Sequence, residues 1–191
     1  MKVLVTGYGP FLDHKENPSL KVAQEMGNYD FIDYQELPVE FSQLDNALKK
    51  LEIKEKSYDF IFLLGLAASR KKVTPEMVAL NWCYCPGRPD NEGKVFEQGE
   101  LLIQEGEKAI FSSLDVEGLS QHLNNLGIHS EVSFTAGTYV CNATYYKVLF
   151  HLRESQAKCC FIHIPPDVEV KKLALGLYKY IAEYERKEPT R

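Results

Sequence analysis

The sequence predicts an α/β fold in which a mostly parallel, twisted sheet is covered by helices on both faces. Residues 2–6 (KVLVT), 60–64 (FIFLL) and 159–164 (CCFIHI) are short, almost wholly apolar runs, the pattern of central strands buried on both faces. Segments with apolar residues at i, i+3 and i+4 lie between them, which is helical spacing. The two kinds of segment alternate along the chain, and that order builds a parallel sheet through crossover helices.

The run 2–6 opens the sheet and a helix is expected over 19–26. A strand over 31–38 and a helix over 43–51 follow, before the strand 60–64. Between Gly65 and Glu107 the periodicity weakens and Pro75, Pro86, Gly87, Pro89 and Gly93 interrupt the chain. Such punctuation predicts long functional loops rather than a linker. A helix is expected over 116–126 and a weaker, alternating fifth strand over 130–135. The helix 143–153 then leads to the strand 159–164, which must leave the sheet at Pro165 and Pro166. The helix 168–184 completes the set, and the charged stretch 183–191 with Pro189 predicts a fraying end and a loose tail. No internal repeat or low-complexity tract interrupts this order, so residues 1–191 read as one domain.

Composition narrows the function. In 191 residues, 22 basic against 27 acidic side chains leave a net charge of −5, which disfavours a general grip on nucleic acid or an anionic membrane. No apolar run reaches the roughly 18 to 20 residues of a membrane span, and the opening MKVLVTGYGPF lacks the features of a signal peptide. A cytoplasmic location is the expectation. The five cysteines are an odd number in a chain large enough to bury a core, so reduced thiols are expected rather than a disulfide scaffold. Cys83 and Cys85 form C-x-C and Cys159 and Cys160 are adjacent, neither being the C-x-x-C spacing of zinc sites. Packing or incidental exposure is the expectation for these four. Asn142-Ala143-Thr144 fits a glycosylation acceptor formally, and without an export signal it is discounted.

Three residues are candidates for nucleophilic chemistry. Cys141, at the end of TAGTYVCN, immediately precedes the expected helix 143–153. Unpaired N–H groups and the positive end of the helix dipole at that position favour thiolate, and the same N–H groups can receive an oxyanion. The alternative is an ordinary buried cysteine. His163 stands at the carboxyl end of a strand, where catalytic groups of open α/β sheets collect, and it can take a thiol proton near neutral pH. The alternative is a core histidine bonded to backbone. Glu76, in VTPEMVALN, can orient the imidazole as the third member of a triad, or it can be simply solvated.

The segments carrying these residues together resemble the pyroglutamyl peptidase I family of cysteine peptidases, also called pyrrolidone-carboxylate peptidases, which remove an N-terminal pyroglutamate. MKVLVTGYGPF with Asn17-Pro18-Ser19 resembles the family's opening strand and loop, GLAASRKKVTPEMVALN its glutamate motif, and IHSEVSFTAGTYVCN its cysteine motif. FIHIP and PDNEG have counterparts there too. The resemblance implies Glu76 as orienter, Cys141 as nucleophile and His163 as general base. It also implies a single three-layer α/β/α domain, a small peptide substrate, no metal or organic cofactor, and homo-oligomers such as dimers or tetramers.

Departures from the family pattern accompany the matches. Leu66, Ala68 and Ser69 stand where glutamine and paired glycines are usual, and Met77 replaces a basic residue. Before PDNEG the family usually has arginine then isoleucine, and this chain has Gly87 and Arg88. A charge thus enters an apolar wall, and Arg88 either favours a more polar or acidic substrate or replaces the lost donor from one residue along. Tyr8, Phe11, Leu66, Arg88, Tyr139 and Val140 are the candidate substrate-binding residues, with Tyr8 and Tyr139 adding hydroxyls where phenylalanine is common. The chain also ends early relative to the family, which predicts a missing or reduced final helix. A noncatalytic binder of peptide or metabolite, or the same chemistry on another acyl or cyclic substrate, are the alternative functions.

Overall fold

The computed structural model describes residues 1–11 and 16–187, apart from the side chains of residues 54, 55 and 187. In chain order the elements are β1 (Val3–Tyr8), α1 (Pro18–Met26), β2 (Ile32–Leu37), α2 (Phe41–Lys50), α3 (Ile53–Lys56) and β3 (Phe60–Leu66). There follow β4 (Thr74–Pro75), β5 (Val78–Leu80), β6 (Ala109–Phe111), α4 (Val116–Asn125), α5 (Val140–Leu152), β7 (Lys158–Ile164) and α6 (Val170–Lys187). The main sheet has the order β2-β1-β3-β7-β4. β1, β2, β3 and β7 run parallel, and the two-residue β4 pairs antiparallel with β7. Every residue of β1 is buried and β3 and β7 are buried over nearly their whole length, which is why their sequences are mostly apolar.

Alternation within these strands divides the core in two. Leu4, Ile61, Leu63, Cys159 and Phe161 face a cluster shared with α2, α3 and α5. Val3, Val5, Phe60, Phe62, Leu64, Cys160, Ile162 and Ile164 face a second cluster built with α1, α4 and α6. Each strand therefore serves both layers, because successive side chains point to opposite faces of the pleat. Helix starts are set locally. Asn17 caps α1 by accepting from the Ser19 N–H at 3.1 Å, with Pro18 at the first helical position, and Asp115 caps α4 by accepting from the Gly118 N–H at 2.9 Å. Both residue choices fit the geometry of a helix N-terminus.

The structure corrects the sequence reading in several places. Residues 130–135 form no strand; Ser130 and Ser133 make only isolated bridges to Val73 and Glu76, because Thr74–Pro75, from the expected loop region, takes the sheet edge beside β7. That region also supplies β5, which pairs with β6 to form a separate two-stranded sheet. The short α3 carries no periodic pattern long enough to be read in advance. α6 runs for 18 residues, to Lys187, so residues 183–187 of the expected fraying end are helical, and residues 188–191 lie outside the described residues.

β1 and α1 approach so closely that Gly7 has no room for a side chain. A Cβ there would lie 2.5 Å from the Leu20 Cα, the Leu20 N and the Ser19 carbonyl oxygen, all backbone atoms that cannot rotate away. We expect Gly7→Ala to lower the stability measured by urea unfolding by about 2 to 3 kcal/mol, with an unchanged m-value.

Candidate active site

The carboxyl ends of β3 and β7 and the amino end of α5 meet at one place. His163, the penultimate residue of β7, is in register with Gly65 on β3 and with Thr74 on β4. Its ring lies against Phe161, two residues earlier on the same face, at a centroid distance of 4.8 Å. Cys141 comes down onto that face from α5: a Cβ built on Gly65 would lie 3.2 Å from its Sγ and 2.7 Å from the Phe161 Cζ. Thus the thiol occupies the space that any larger residue at 65 would fill, over the strand adjacent to His163. Cys141 is the second residue of the helix, within its first turn rather than before it, and unlike the other four cysteines it is partly open.

Glu76 reaches His163 from the loop after β4. The carboxylate Oε1 accepts from the imidazole Nδ1 at 2.7 Å and from the Arg70 guanidinium at 2.7 Å. A carboxylate only accepts, so Nδ1 carries the proton and Nε2 of the neutral ring holds the lone pair. Glu76 is completely buried, and among the described residues its Oε2 has no hydrogen-bond partner. The solvated alternative is therefore excluded. Arg70 also binds the Thr74 hydroxyl and the Thr135 carbonyl, and the Thr74 hydroxyl donates to the His163 carbonyl at 3.3 Å. The Glu76 backbone is held just as firmly, its N–H donating to the Phe161 carbonyl and its carbonyl accepting from the Tyr145 hydroxyl.

The residues after Cys141 fix the helix end. Asn142 is fully buried, with its side chain bonded to both the N–H and the carbonyl of Leu80 and to the Trp82 carbonyl, so it is no surface glycosylation acceptor. The Thr144 hydroxyl accepts from the Tyr8 hydroxyl at 2.6 Å. With Tyr145 on Glu76, three residues in the first turns, Asn142, Thr144 and Tyr145, tie α5 to three other segments. Tyr139, at the N-cap, contributes no side-chain cap, which leaves the first-turn N–H groups without one.

Of the candidate pocket residues, Phe11, Tyr139 and Arg88 form a cluster. The Phe11 and Tyr139 rings are 5.6 Å apart, and the Arg88 guanidinium lies 4.6 Å from the Tyr139 centroid and 5.8 Å from that of Phe11. Tyr8 is buried beside Phe161 at 6.5 Å, Val140 is fully buried in the core, and Leu66 is the last residue of β3. The two tyrosine hydroxyls are both spent inside the protein, on Thr144 and on the Pro89 carbonyl, so they do not make the pocket more polar. Cys83, Cys85, Cys159 and Cys160 are all buried, so of packing and incidental exposure it is packing that the structure shows. Among the described residues no group of three or more His, Cys, Asp or Glu side chains could hold a metal ion, and no helix is long and apolar enough to cross a membrane.

Burial governs the protonation of the site. It pushes the Cys141 thiol up to about 12, with Glu76 adding to the rise and Arg88 and Arg70 opposing it. The same burial lowers His163 below the ordinary histidine value, while Glu76 pulls it upward and Arg70 and Arg88 add to the lowering. The resting pair is a neutral thiol and a neutral imidazole.

Sequence reasoning missed Arg70, which lies six residues before Glu76 and leaves no signature of its own, and Gly65, whose role shows only in the register. Since Arg70 lowers His163, Arg70→Met should raise the histidine pKa read by NMR titration. The lowered pKa means that this histidine's contribution to folding is present above about 6.5 and is lost as pH falls through the folded value. The variant should lose less stability on acidification. At neutral pH it should be less stable by about 2 to 3 kcal/mol, because a buried carboxylate loses a partner.

Comparisons with known proteins agree with this architecture. The family model described as pyroglutamyl peptidase matches residues 1–182. A pyrrolidone-carboxylate peptidase of Oceanobacillus iheyensis is 36% identical over 181 residues, covering 91% of this chain and 87% of the relative. That of Halalkalibacterium halodurans is 35% identical over 175 residues, covering 88% and 85%. Among solved structures, pyrrolidone carboxyl peptidase from Thermus thermophilus superposes with a TM-score of 0.83 at 30% identity, covering 92% of this chain and 96% of that one. A mutant of the P. furiosus enzyme gives 0.87 at 28% identity, covering 98% and 99%. With nearly the whole sequence matched and the same layered sheet in the solved relatives, the chain belongs to the pyroglutamyl peptidase family of cysteine peptidases.

Proposed function

We propose that this chain is a cytoplasmic cysteine exopeptidase of one domain that hydrolyses the N-terminal pyroglutamyl group of small peptides by covalent catalysis. The observation that carries the reading is the Glu76–His163 hydrogen bond of 2.7 Å on the sheet face onto which Cys141 descends. In the proposed reaction the Cys141 sulfur attacks the carbonyl between the cyclic residue and the next one as its proton passes to Nε2 of His163. Glu76 holds Nδ1–H and steadies the imidazolium that forms. The first-turn N–H groups of α5, together with the end of the helix dipole, face the negative charge that develops on the carbonyl oxygen. His163 then gives its proton to the departing amine, and water, activated by the same imidazole, releases pyroglutamate from the thioester.

Phe11 and Tyr139 supply the flat apolar surface against which a small ring can stack. Tyr8 acts behind them, fixing Thr144 and so the helix that carries Cys141. Val140 contributes packing next to the nucleophile, and Leu66 closes the end of β3. No cofactor takes part in this scheme.

Purified, reduced protein should release the fluorophore from a pyroglutamyl amide and leave alanyl and prolyl amides intact, and Cys141→Ala should abolish release without changing the circular dichroism spectrum. Folded protein whose Cys141 alkylates but which turns over none of these amides would sink the reading. Gly65→Ala adds a geometric check. The new methyl displaces Phe161 and the thiol, so kcat should fall about 100-fold with a smaller change in KM.

A further inference from the structure

We propose that Arg88 makes the acyl pocket a receptor for anionic acyl groups, a substrate carboxylate pairing with the guanidinium where it overhangs Tyr139 and Phe11. The inference rests on the proposed exopeptidase reading and names a substrate class for that site. Its geometric basis is the way Arg88 is held. Gly87 adopts a φ of 65°, a value that favours glycine, and the Arg88 N–H donates to the Cys85 carbonyl at 3.1 Å. The Tyr139 hydroxyl donates to the Pro89 carbonyl at 2.9 Å, so the ring beneath the guanidinium is bonded to the residue after it. The turn therefore aims an exposed arginine back over the pocket.

The charge is available for a ligand. Asp90, two residues on, is buried and gives its oxygens to the N–H groups of Phe41, Glu92 and Lys94. Among the described residues Arg88 forms no salt bridge, whereas Arg70 is paired with Glu76. With thiol and imidazole neutral, Arg88 is thus the uncompensated charge of the site. Stacking on an aromatic ring occupies the face of a guanidinium and leaves its in-plane N–H groups free, and those form the fork that matches a carboxylate. Both tyrosine hydroxyls are already used, so discrimination between polar acyl groups falls to Arg88.

The ligand class follows from length. A glutaryl group has the five-carbon chain of pyroglutamyl but ends in a carboxylate instead of the lactam carbonyl. Its amide would react by the same steps: sulfur bonds to the acyl carbon, the amine leaves with a proton from His163, and water releases glutarate.

The test uses reagents that differ in charge alone. Iodoacetate and iodoacetamide both transfer a two-carbon group to the Cys141 sulfur with loss of iodide, and mass spectrometry reads the modification at that residue. Their rate ratio cancels any change in thiol acidity. We expect the iodoacetate to iodoacetamide ratio to fall about fivefold in Arg88→Gln, to be largely kept in Arg88→Lys, and to fall with added salt only where the charge is present. The kcat/KM ratio of glutaryl to pyroglutamyl amide should fall in Arg88→Gln as well. Calorimetric titration with glutarate against its neutral diamide gives the same comparison without needing a reactive thiol. An unchanged ratio in Arg88→Gln, in alkylation or in hydrolysis, overturns the proposal and does not bear on the exopeptidase reading, which the unsubstituted protein tests. Loss of all amide turnover with an Arg88-dependent alkylation ratio does the reverse, retaining the anion site and removing the exopeptidase reading.

Discussion

A carboxylate with no exposed surface has to be bonded or it destabilises the fold, and Glu76 is such a carboxylate. Its position explains much of what surrounds it. Arg70 turns back from the loop after β3 to reach Oε1, Thr74 joins that guanidinium to the end of β7, and His163 completes the chain of charge and dipole. The short β4 exists to bring this about. Two antiparallel residues beside β7 are too few to stabilise a sheet, yet they align Glu76 so that its N–H bonds to Phe161 and its carboxylate meets the histidine two residues later. A loop in their place would leave the carboxylate to find its partners by chance.

The second constraint is closeness. Gly65 and Phe161 lie side by side beneath α5, and the space left by the absent side chain at 65 is where the Cys141 sulfur rests. Holding a thiol there requires that the helix end does not move, and α5 is anchored by Asn142, Thr144 and Tyr145, each through a different neighbour. Those bonds come from buried polar groups, which specify one arrangement because any other would leave them unpaired. These polar groups share the buried side of α5 with Val148, Leu149 and Leu152, and the Tyr145 ring packs in the same core cluster while its hydroxyl bonds to Glu76.

Periodicity made the parallel strands and long helices legible, because a strand buried on both sides has no polar position to confuse the pattern. The stretch from Gly65 to Glu107 was legible only as loops. Its strands are two and three residues long, shorter than any repeat that could announce them, and their pairing is decided by Glu76, Asn81 and Asn142 rather than by apolar alternation. Residues 130–135 failed for the opposite reason: they alternate, but the edge they would have occupied is taken by Thr74–Pro75. In the site, local setting and the family resemblance singled out Glu76, Cys141 and His163, whereas the contacts of Glu76 with Arg70 and of Cys141 with the space at Gly65 exist only in three dimensions. The hydroxyls of Tyr8 and Tyr139 show how a residue-type argument misleads. Counted as polar groups they suggest a polar pocket, and in place they are structural bonds.

One physical cause, removal from water, acts on the two proposed partners in opposite directions, raising the thiol and lowering the imidazole. Both effects favour the uncharged pair, so Cys141 and His163 do not rest as a thiolate–imidazolium pair. The uncharged state matches the role proposed for His163, since a neutral Nε2 has the lone pair that a general base requires. It also places the cost of charge separation in the step where sulfur meets the carbonyl. In the proposed step the developing oxyanion would face the first turn of α5 and the imidazolium would be held by Glu76. Charges that are unfavourable in the empty site would thus gain partners as the proposed bond forms, which is the differential stabilisation that accelerates a reaction rather than merely binding its substrate. Arg88 and Arg70 oppose the rise in the thiol, and of the two it is Arg88, lacking an ion-pair partner among the described residues, whose influence a bound anion would change.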